Sequence, residues 1–435
     1  MRQLLSLTNG VEFLLAALFF SAAAIRNCRA GFIRAGLFST LITLTIAAVY
    51  VLLHNKVYFI YSIPAATLVL IFVSLVPLKG YTGECKKKEK RVDERNIPFA
   101  RIGLKPGSEN YESYYSENPE KEEIDSRTRA LPGFLSRGSR YYHSLNSPAA
   151  DAGFFLLEHL KESVDGNVSS IKSSLKPERI AMYLKAMLKT RKFSCLGTAA
   201  LKPCHYYSHT GRGSGEYGAA VPFEHSSALV IGSEMGSRFT GTAPLSPEVM
   251  ETSGRYIDCA VAAIQTASFL RNLGFSARAH IDGNYKVVAS LLARDSGLGN
   301  FGWSGLLLSG NLGPRVRFSV VTTDFEFPSH RRQKSVDYLP FCLQCQKCVR
   351  NCPCGAIDRN RPFSVDSDRC FMYWNAVGTD CGKCMSVCPM GHPWGILKKI
   401  ALRSSFAAWL LTGFDNLFYG KLPESIGMPS WMGVE

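Results

Sequence analysis

Cys342-Leu-Gln-Cys345-Gln-Lys-Cys348-Val-Arg-Asn-Cys352-Pro353 is the most informative stretch of this 435-residue chain. Three cysteines at two-residue gaps, a fourth after three residues and a proline behind it form the C-x2-C-x2-C-x3-C-P run of a two-cluster bacterial ferredoxin. The short gaps let three thiolates reach three corners of one iron–sulfur cube. The fourth cysteine leaves on a turn and serves a second cube. A second run follows, Cys381-Gly-Lys-Cys384-Met-Ser-Val-Cys388-Pro389, with Cys370 upstream as its extra member. Crossed ligation assigns Cys342, Cys345, Cys348 and Cys388 to one [4Fe–4S] cluster. It assigns Cys352, Cys370, Cys381 and Cys384 to the other. Zinc knuckles are the rival for paired cysteines, but zinc asks neither for the interleaving nor for the proline. Cys354 exceeds the eight ligands and reads as a bystander.

Fourteen cysteines in a short secreted chain would suggest disulfides, but a chain this long builds a core without them. Nine of them crowd between Cys342 and Cys388, which points to metal. Cys28, Cys85, Cys195, Cys204 and Cys259 are scattered and read as small hydrophobes. The net charge of +15 gathers partly in Lys86, Lys87, Lys88, Lys90 and Arg91, beside an apolar region. Anionic lipid headgroups explain such a run, and no nucleic-acid module is present.

That apolar region, residues 1–80, reads as a membrane anchor of three helices, at about Leu4–Ile25, Ala35–Leu53 and Val57–Leu78. The first holds Asn9 and Glu12, and a signal peptide is its rival. Arg26, Arg29 and Arg34 lie in the first loop, and Lys79 and the Lys86–Arg91 cluster follow the third span, so with three spans these segments share one side. The positive-inside rule then sets the large domain on the cytoplasmic side of a bacterial inner membrane, the outer face being the alternative.

Residues 81–145 read as a linker and an extended polar wrap, rich in Tyr, Ser, Glu and Pro. Residues 146–335 alternate helical and strand patterns, as in an α/β core. Helices are expected at Ala149–Val164, Glu178–Lys189 and Pro247–Leu273, the last ended by Gly274. Strands are expected at Ala228–Gly232 and Arg315–Phe327. The cysteine module takes 336–395, and 396–435 forms a C-terminal segment closing the active site. Gly213-Ser-Gly215-Glu-Tyr-Gly218 matches G-x-G-x-x-G, but neither a strand before it nor a helix after it supports a dinucleotide site. A glycine-rich loop against a large flat cofactor suits it better.

From Asp93 to Glu435 the chain resembles the corrinoid-dependent reductive dehalogenases. The likeness rests on Asp93-Glu-Arg, Phe99-Ala-Arg, Pro106-Gly, Tyr114-Tyr and Asn118-Pro-Glu, then on Phe269-Leu-Arg-Asn-Leu-Gly274-Phe-Ser-Ala, Gly297-Leu-Gly299 and Gly313-Pro-Arg-Val-Arg317. Both cluster motifs follow, with Tyr373-Trp374 between them and Phe418-Tyr419-Gly420 and Trp431 after them. The resemblance implies a nitroreductase-like α/β core holding cobalamin or another corrinoid, fed with electrons by the two clusters, that removes halide from an organohalide. It implies Tyr256 as proton donor and Arg317 as its cationic support. A cation beside a phenol favours the phenolate, so Arg317 is expected to lower the pKa of Tyr256. Trp374 matches a pocket-wall aromatic. Asn284, counted from Gly297, matches a polar pocket residue; counted from Ala277, the match is Asp282. Trp303 stands where the family commonly has an arginine, which bears on substrate range or corrinoid contacts. The fused anchor replaces the family's twin-arginine signal and separate anchor protein, and a quinol or a ferredoxin-like protein is the implied electron donor. An epoxyqueuosine-reductase-like enzyme and a non-catalytic electron-transfer subunit are the competing readings.

Overall fold

The computed structural model describes residues 90–193, 195–213, 215–328 and 336–432, with short helical pieces before residue 49. Among the described residues no helix is long and apolar enough to cross a membrane. The three apolar stretches read from the sequence lie outside them, apart from residues 14–18, 40–48 and a few single positions.

The segment expected to be extended is instead helical: α1 (Pro98–Ile102), α2 (Glu109–Glu117) and α3 (Pro119–Arg129). The Ser108 side chain accepts from Tyr111 N and starts α2, and Pro119 opens α3. Tyr111, Tyr114 and Tyr115 bury one stripe, so the tyrosines that suggested an irregular wrap are an amphipathic helix face. In a polar sequence three aromatics at helical spacing carried that signal.

The core follows as α4 (Asn146–Leu160), α5 (Pro177–Thr190), β1 (Cys195–Ala200), β2 (Ser227–Glu234), α6 (Ser246–Asn272), β3 (Ala277–His280), α7 (Ala289–Asp295), β4 (Asn300–Phe301), β5 (Leu307–Leu308) and β6 (Val316–Thr323). The main sheet is antiparallel with order β1-β2-β6-β3. Strand β2 is buried on both faces. Leu229 and Ile231 meet α6, and Ala228 and Val230 meet α7. A strand covered on both sides reads as an unbroken apolar run, as Ala-Leu-Val-Ile does here.

Helix α6 lies on the sheet through Ala260, Ala263, Ala267 and Leu270, all wholly buried. These positions alternate by three and four residues, so they form one stripe, and the alanines let helix and sheet approach closely. Tyr256 continues the stripe one turn earlier and packs against the same core.

Helix α6 stops at Gly274, which has φ +82°. A Cβ there would lie 2.6 Å from Lys172 Cα and 2.7 Å from Ile171 O. Gly274→Ala therefore should cost about 1–3 kcal/mol, from the left-handed backbone and the clash with main chain. A thermal transition within error of wild type would refute this account of the helix end.

The cysteine module comprises α8 (Leu339–Cys345), α9 (Lys347–Arg350), α10 (Ser367–Val377) and α11 (Lys383–Ser386). Left-handed residues Gln346, Cys381 and Gly382 bend the chain at both cysteine runs. Helices α12 (Ile396–Ala401) and α13 (Ser405–Tyr419) pack on this module and contribute no residue to the cavity described below, where the sequence reading expected this segment to close the site. Buried Asp415 of α13 binds Lys347 at 2.5 Å, His392 at 2.6 Å and Trp394 at 2.8 Å.

Candidate active site

A cavity of about 750 Å³ is lined in part by residues of α6 and β6. One wall carries Thr252 and Tyr256 of α6, Arg317 of β6, and Asp380. Another is aromatic: Phe99, Phe134, Phe154 and Trp374. Trp374 meets Phe99 edge-on at 5.6 Å and lies 6.4 Å from Phe134.

Tyr256 and Arg317 come together as the resemblance implies, with the guanidinium carbon 5.3 Å from the ring centre. The electrostatic expectation needs correcting. Burial is the largest influence on the phenol and pushes its pKa up to about 12. Arg317 and Arg212 pull it down, while Asp282 and Asp380 push it further up. Tyr256 is only half-buried by solvent contact because it faces the cavity; protein surrounds the rest of the ring. The enclosing protein governs its charge, so Tyr256 stands as a neutral phenol across the ordinary pH range.

Arg317 is held in place. Its Nη2 donates to Thr252 Oγ1 at 2.9 Å and to Asp380 Oδ2 at 3.1 Å. The Thr252 hydroxyl donates to the same carboxylate oxygen at 2.9 Å. Burial works against the Arg317 charge, but Tyr256, Asp380 and Glu248 raise its pKa overall. Glu248, fully buried and within reach of the Thr252 hydroxyl, is pushed well above the usual carboxylate range by burial and by Asp380. Thr252, Asp380 and Glu248 escaped the sequence reading. Glu248, Thr252 and Tyr256 recur every four residues, which puts them on one face of α6, and Asp380 directly precedes Cys381.

Arg212 has no signal in the sequence and Asp282 enters it only as the alternative count to Asn284, yet both line the cavity. Arg212 lies 5.4 Å over the Phe99 ring and pairs with buried Glu94 at 3.3 Å. Glu94 also accepts from Gly211 N and Arg212 N, at 2.9 and 3.1 Å. The Asp93-Glu-Arg segment thus ties down the glycine-rich loop, whose work here is to present Arg212.

Two predicted pocket residues lie elsewhere. Asn284 is buried behind the wall, where Oδ1 accepts from Arg278 Nη2 at 2.9 Å. Asp282, the other way of counting, is the one on the cavity surface. Trp303 is buried in a small core with Leu339 and Ile357, against which Cys342, Cys348, Cys352 and Cys384 pack, and its Nε1 donates to Asp358 O at 2.8 Å. Its backbone N–H bonds the Cys342 thiol. The apolar indole packs better on the thiols than in a polar mouth, so Trp303 belongs to the cluster wall.

The cysteines converge in two groups. Cys348 lies within electrostatic reach of Cys388, Cys342 and Cys345. Cys384 lies within electrostatic reach of Cys348, Cys352 and Cys388 and so stands between the two groups, Cys381 lies beside Cys384, and Cys354 stands between Cys352 and Cys370. Burial raises these thiols, Cys345 to about 11 and, with repulsion from Cys345, Cys388 to about 12. Among the described residues no three His, Cys, Asp or Glu side chains stand ready to hold a single ion.

No family model matches the chain. A tetrachloroethene reductive dehalogenase of Desulfitobacterium hafniense is 33% identical over 165 residues, which is 33% of this chain and 29% of that relative. A solved reductive dehalogenase, described with a mechanism for B12-dependent dehalogenation, matches with TM-score 0.57 and 22% identity over 71% of this chain and 48% of its own. A catabolic reductive dehalogenase in complex with 3-bromo-4-hydroxybenzoic acid matches with TM-score 0.60 and 20% identity over 81% of this chain and 50% of its own. The chain spans under a third of the curated relative and about half of the solved ones. Over about a third of its length by sequence, and over most of its length by fold, the chain is similar to reductive dehalogenases.

Proposed function

We propose that this chain is a reductive dehalogenase: it takes two electrons and a proton, replaces a carbon-bound halogen with hydrogen and releases halide. The observation that carries the reading is a neutral phenol, Tyr256, held against a fixed cation in a cavity whose wall runs directly into a cluster cysteine, as Asp380-Cys381. A cavity of about 750 Å³ is more than a small halogenated ring fills and lies in the upper part of the range for cofactor sites. When bound, a corrinoid supplies the strongly reducing metal centre at which the carbon–halogen bond is cleaved.

The protein's own residues do the rest. Tyr256 keeps its proton on Oη until charge develops on the substrate carbon, then transfers it. A unit charge pair about 5 Å apart attracts by about 3 kcal/mol at an effective dielectric of about 20, which is the help Arg317 gives the phenolate. Thr252 and Asp380 keep the guanidinium aimed at the ring. The aromatic wall excludes water, which would otherwise compete as proton source. Eight thiolates, Cys342, Cys345, Cys348 and Cys388 with Cys352, Cys370, Cys381 and Cys384, would hold the two [4Fe–4S] clusters that bring in electrons. A membrane location and a quinol or ferredoxin-like donor complete the proposal.

The test is anaerobic reconstitution with iron, sulfide and cobalamin, followed by halide-release assays on brominated and chlorinated phenols and alkenes. Halide release that needs cobalamin supports the reading. A preparation that binds iron and sulfide but no cobalt would make the chain an electron carrier.

A further inference from the structure

The cysteine module holds nine thiols, and the ninth is not idle packing. Cys354 Sγ lies 3.7 Å from Cys352 Sγ. On its other side it is within hydrogen-bonding reach of Cys370. Those two neighbours are both assigned to the second cluster, whose remaining donors are Cys381 and Cys384. Five thiols therefore surround four ligand positions.

The backbone favours exchange between them. Cys352 and Cys354 hang from one turn, closed by Gly355 at φ +63°. Pro353 and Gly355 are exposed and both cysteines are half-buried. Cys352 Sγ already accepts from Ala356 N at 3.3 Å, a bond to sulfur that survives ligand loss. The same exposed edge is where a cubane meets oxidants first.

We propose that Cys354 is a reserve ligand to the second cluster, able to take over the iron that Cys352 releases. The inference rests on the two-cluster reading above. In the exchange the Cys354 sulfur bonds iron as its proton departs, and the freed Cys352 thiolate takes up a proton. No electron moves and the cube keeps four irons. A cluster with a spare donor resists conversion to [3Fe–4S] at its exposed corner.

The experiment uses the full chain, reconstituted anaerobically with iron and sulfide, as wild type, Cys352→Ala, Cys354→Ala and the double variant. Each single variant should keep wild-type iron, about eight per chain for two such clusters. Cys352→Ala should change the line shape of one reduced cluster in electron paramagnetic resonance. The double variant should lose iron and give a [3Fe–4S] signal. A Cys352→Ala protein as iron-poor as the double variant would overturn the proposal, as would iron loss in Cys354→Ala alone. A second measurement needs no variant. In loaded wild-type protein, alkylating Cys354 with iodoacetamide should speed ferricyanide conversion to [3Fe–4S] several-fold, and equal rates would overturn it. Wild-type protein that takes up no iron–sulfur chromophore would instead remove the two-cluster reading itself.

Discussion

Tyr256→Phe should lower turnover about 100- to 10,000-fold, the range that a positioned general acid contributes. Iron and cobalt contents should stay at wild-type levels, because the ring still packs on the α6 stripe and only the hydroxyl is lost. The size of the effect follows from enclosure. Burial lifts the phenol to about 12, so nearly all molecules hold the proton at neutral pH, beside the Arg317 guanidinium. The shift has a stability consequence as well. Between the ordinary phenol value near 10 and about 12, the unfolded chain has released this proton while the folded one has not. Tyr256 thus favours folding below that window, and the contribution is lost as pH rises through it. Loss of stability above pH 10 should be shallower in Tyr256→Phe than in wild type. Unchanged turnover in the variant would remove Tyr256 from the mechanism.

Arg317 shows where the effect of a substitution must be read with care. Removing it leaves Asp380 and Thr252 without their cation and strips the phenolate of its partner, so Arg317→Ala mixes lost chemistry with lost structure. Tyr256→Phe isolates the proton.

The parts legible in the sequence were those with strict spacing. The cysteine runs, the α6 stripe and its stop at Gly274, and the apolar run of β2 each depend on local periodicity that a chain displays openly. Tyr256 and Arg317 are far apart in sequence and were paired through resemblance; the register of β6 beside α6 is what joins them. Asp380 and Thr252 were missed because an acidic or hydroxyl residue beside a cysteine or on a helix has no spacing of its own. Trp303 and Asn284 were misplaced by a single layer. Each stands next to cavity residues in sequence, Gly305 and Gly283, yet faces away from the cavity. The helices α2 and α3 were hidden by polarity, since most of their residues face solvent and only the tyrosines signal burial.

Those helices carry the largest expected stability effect. Arg101 of α1 is about 1% exposed and binds Asp125 of α3 at 2.7 Å; its other nitrogen binds Asp368 of α10. Burial alone would raise the Asp368 carboxyl, but Lys121 and Arg101 hold it below the usual range. Asp368 is therefore charged, and the ion pairs of Arg101 with Asp125 and Asp368 join the N-terminal wrap to the helix that carries Cys370. Arg101→Ala should cost about 3–5 kcal/mol, because two enclosed carboxylates lose the cation between them. Tyr115 still bonds Asp125 and Lys121 still bonds Asp368, at 2.9 and 2.8 Å, which keeps the loss from running higher. An exposed pair would cost about 1 kcal/mol or less, so a small effect on urea unfolding would mean that the triad is solvated. The variant should also hold less iron, since α10 is fixed at its first turn by Asp368, two residues before Cys370. Adding Asp125→Asn should recover part of the stability by removing one of the orphaned charges. If the double variant is less stable than Arg101→Ala, the loss comes from packing of the long side chain, not from unpaired charge.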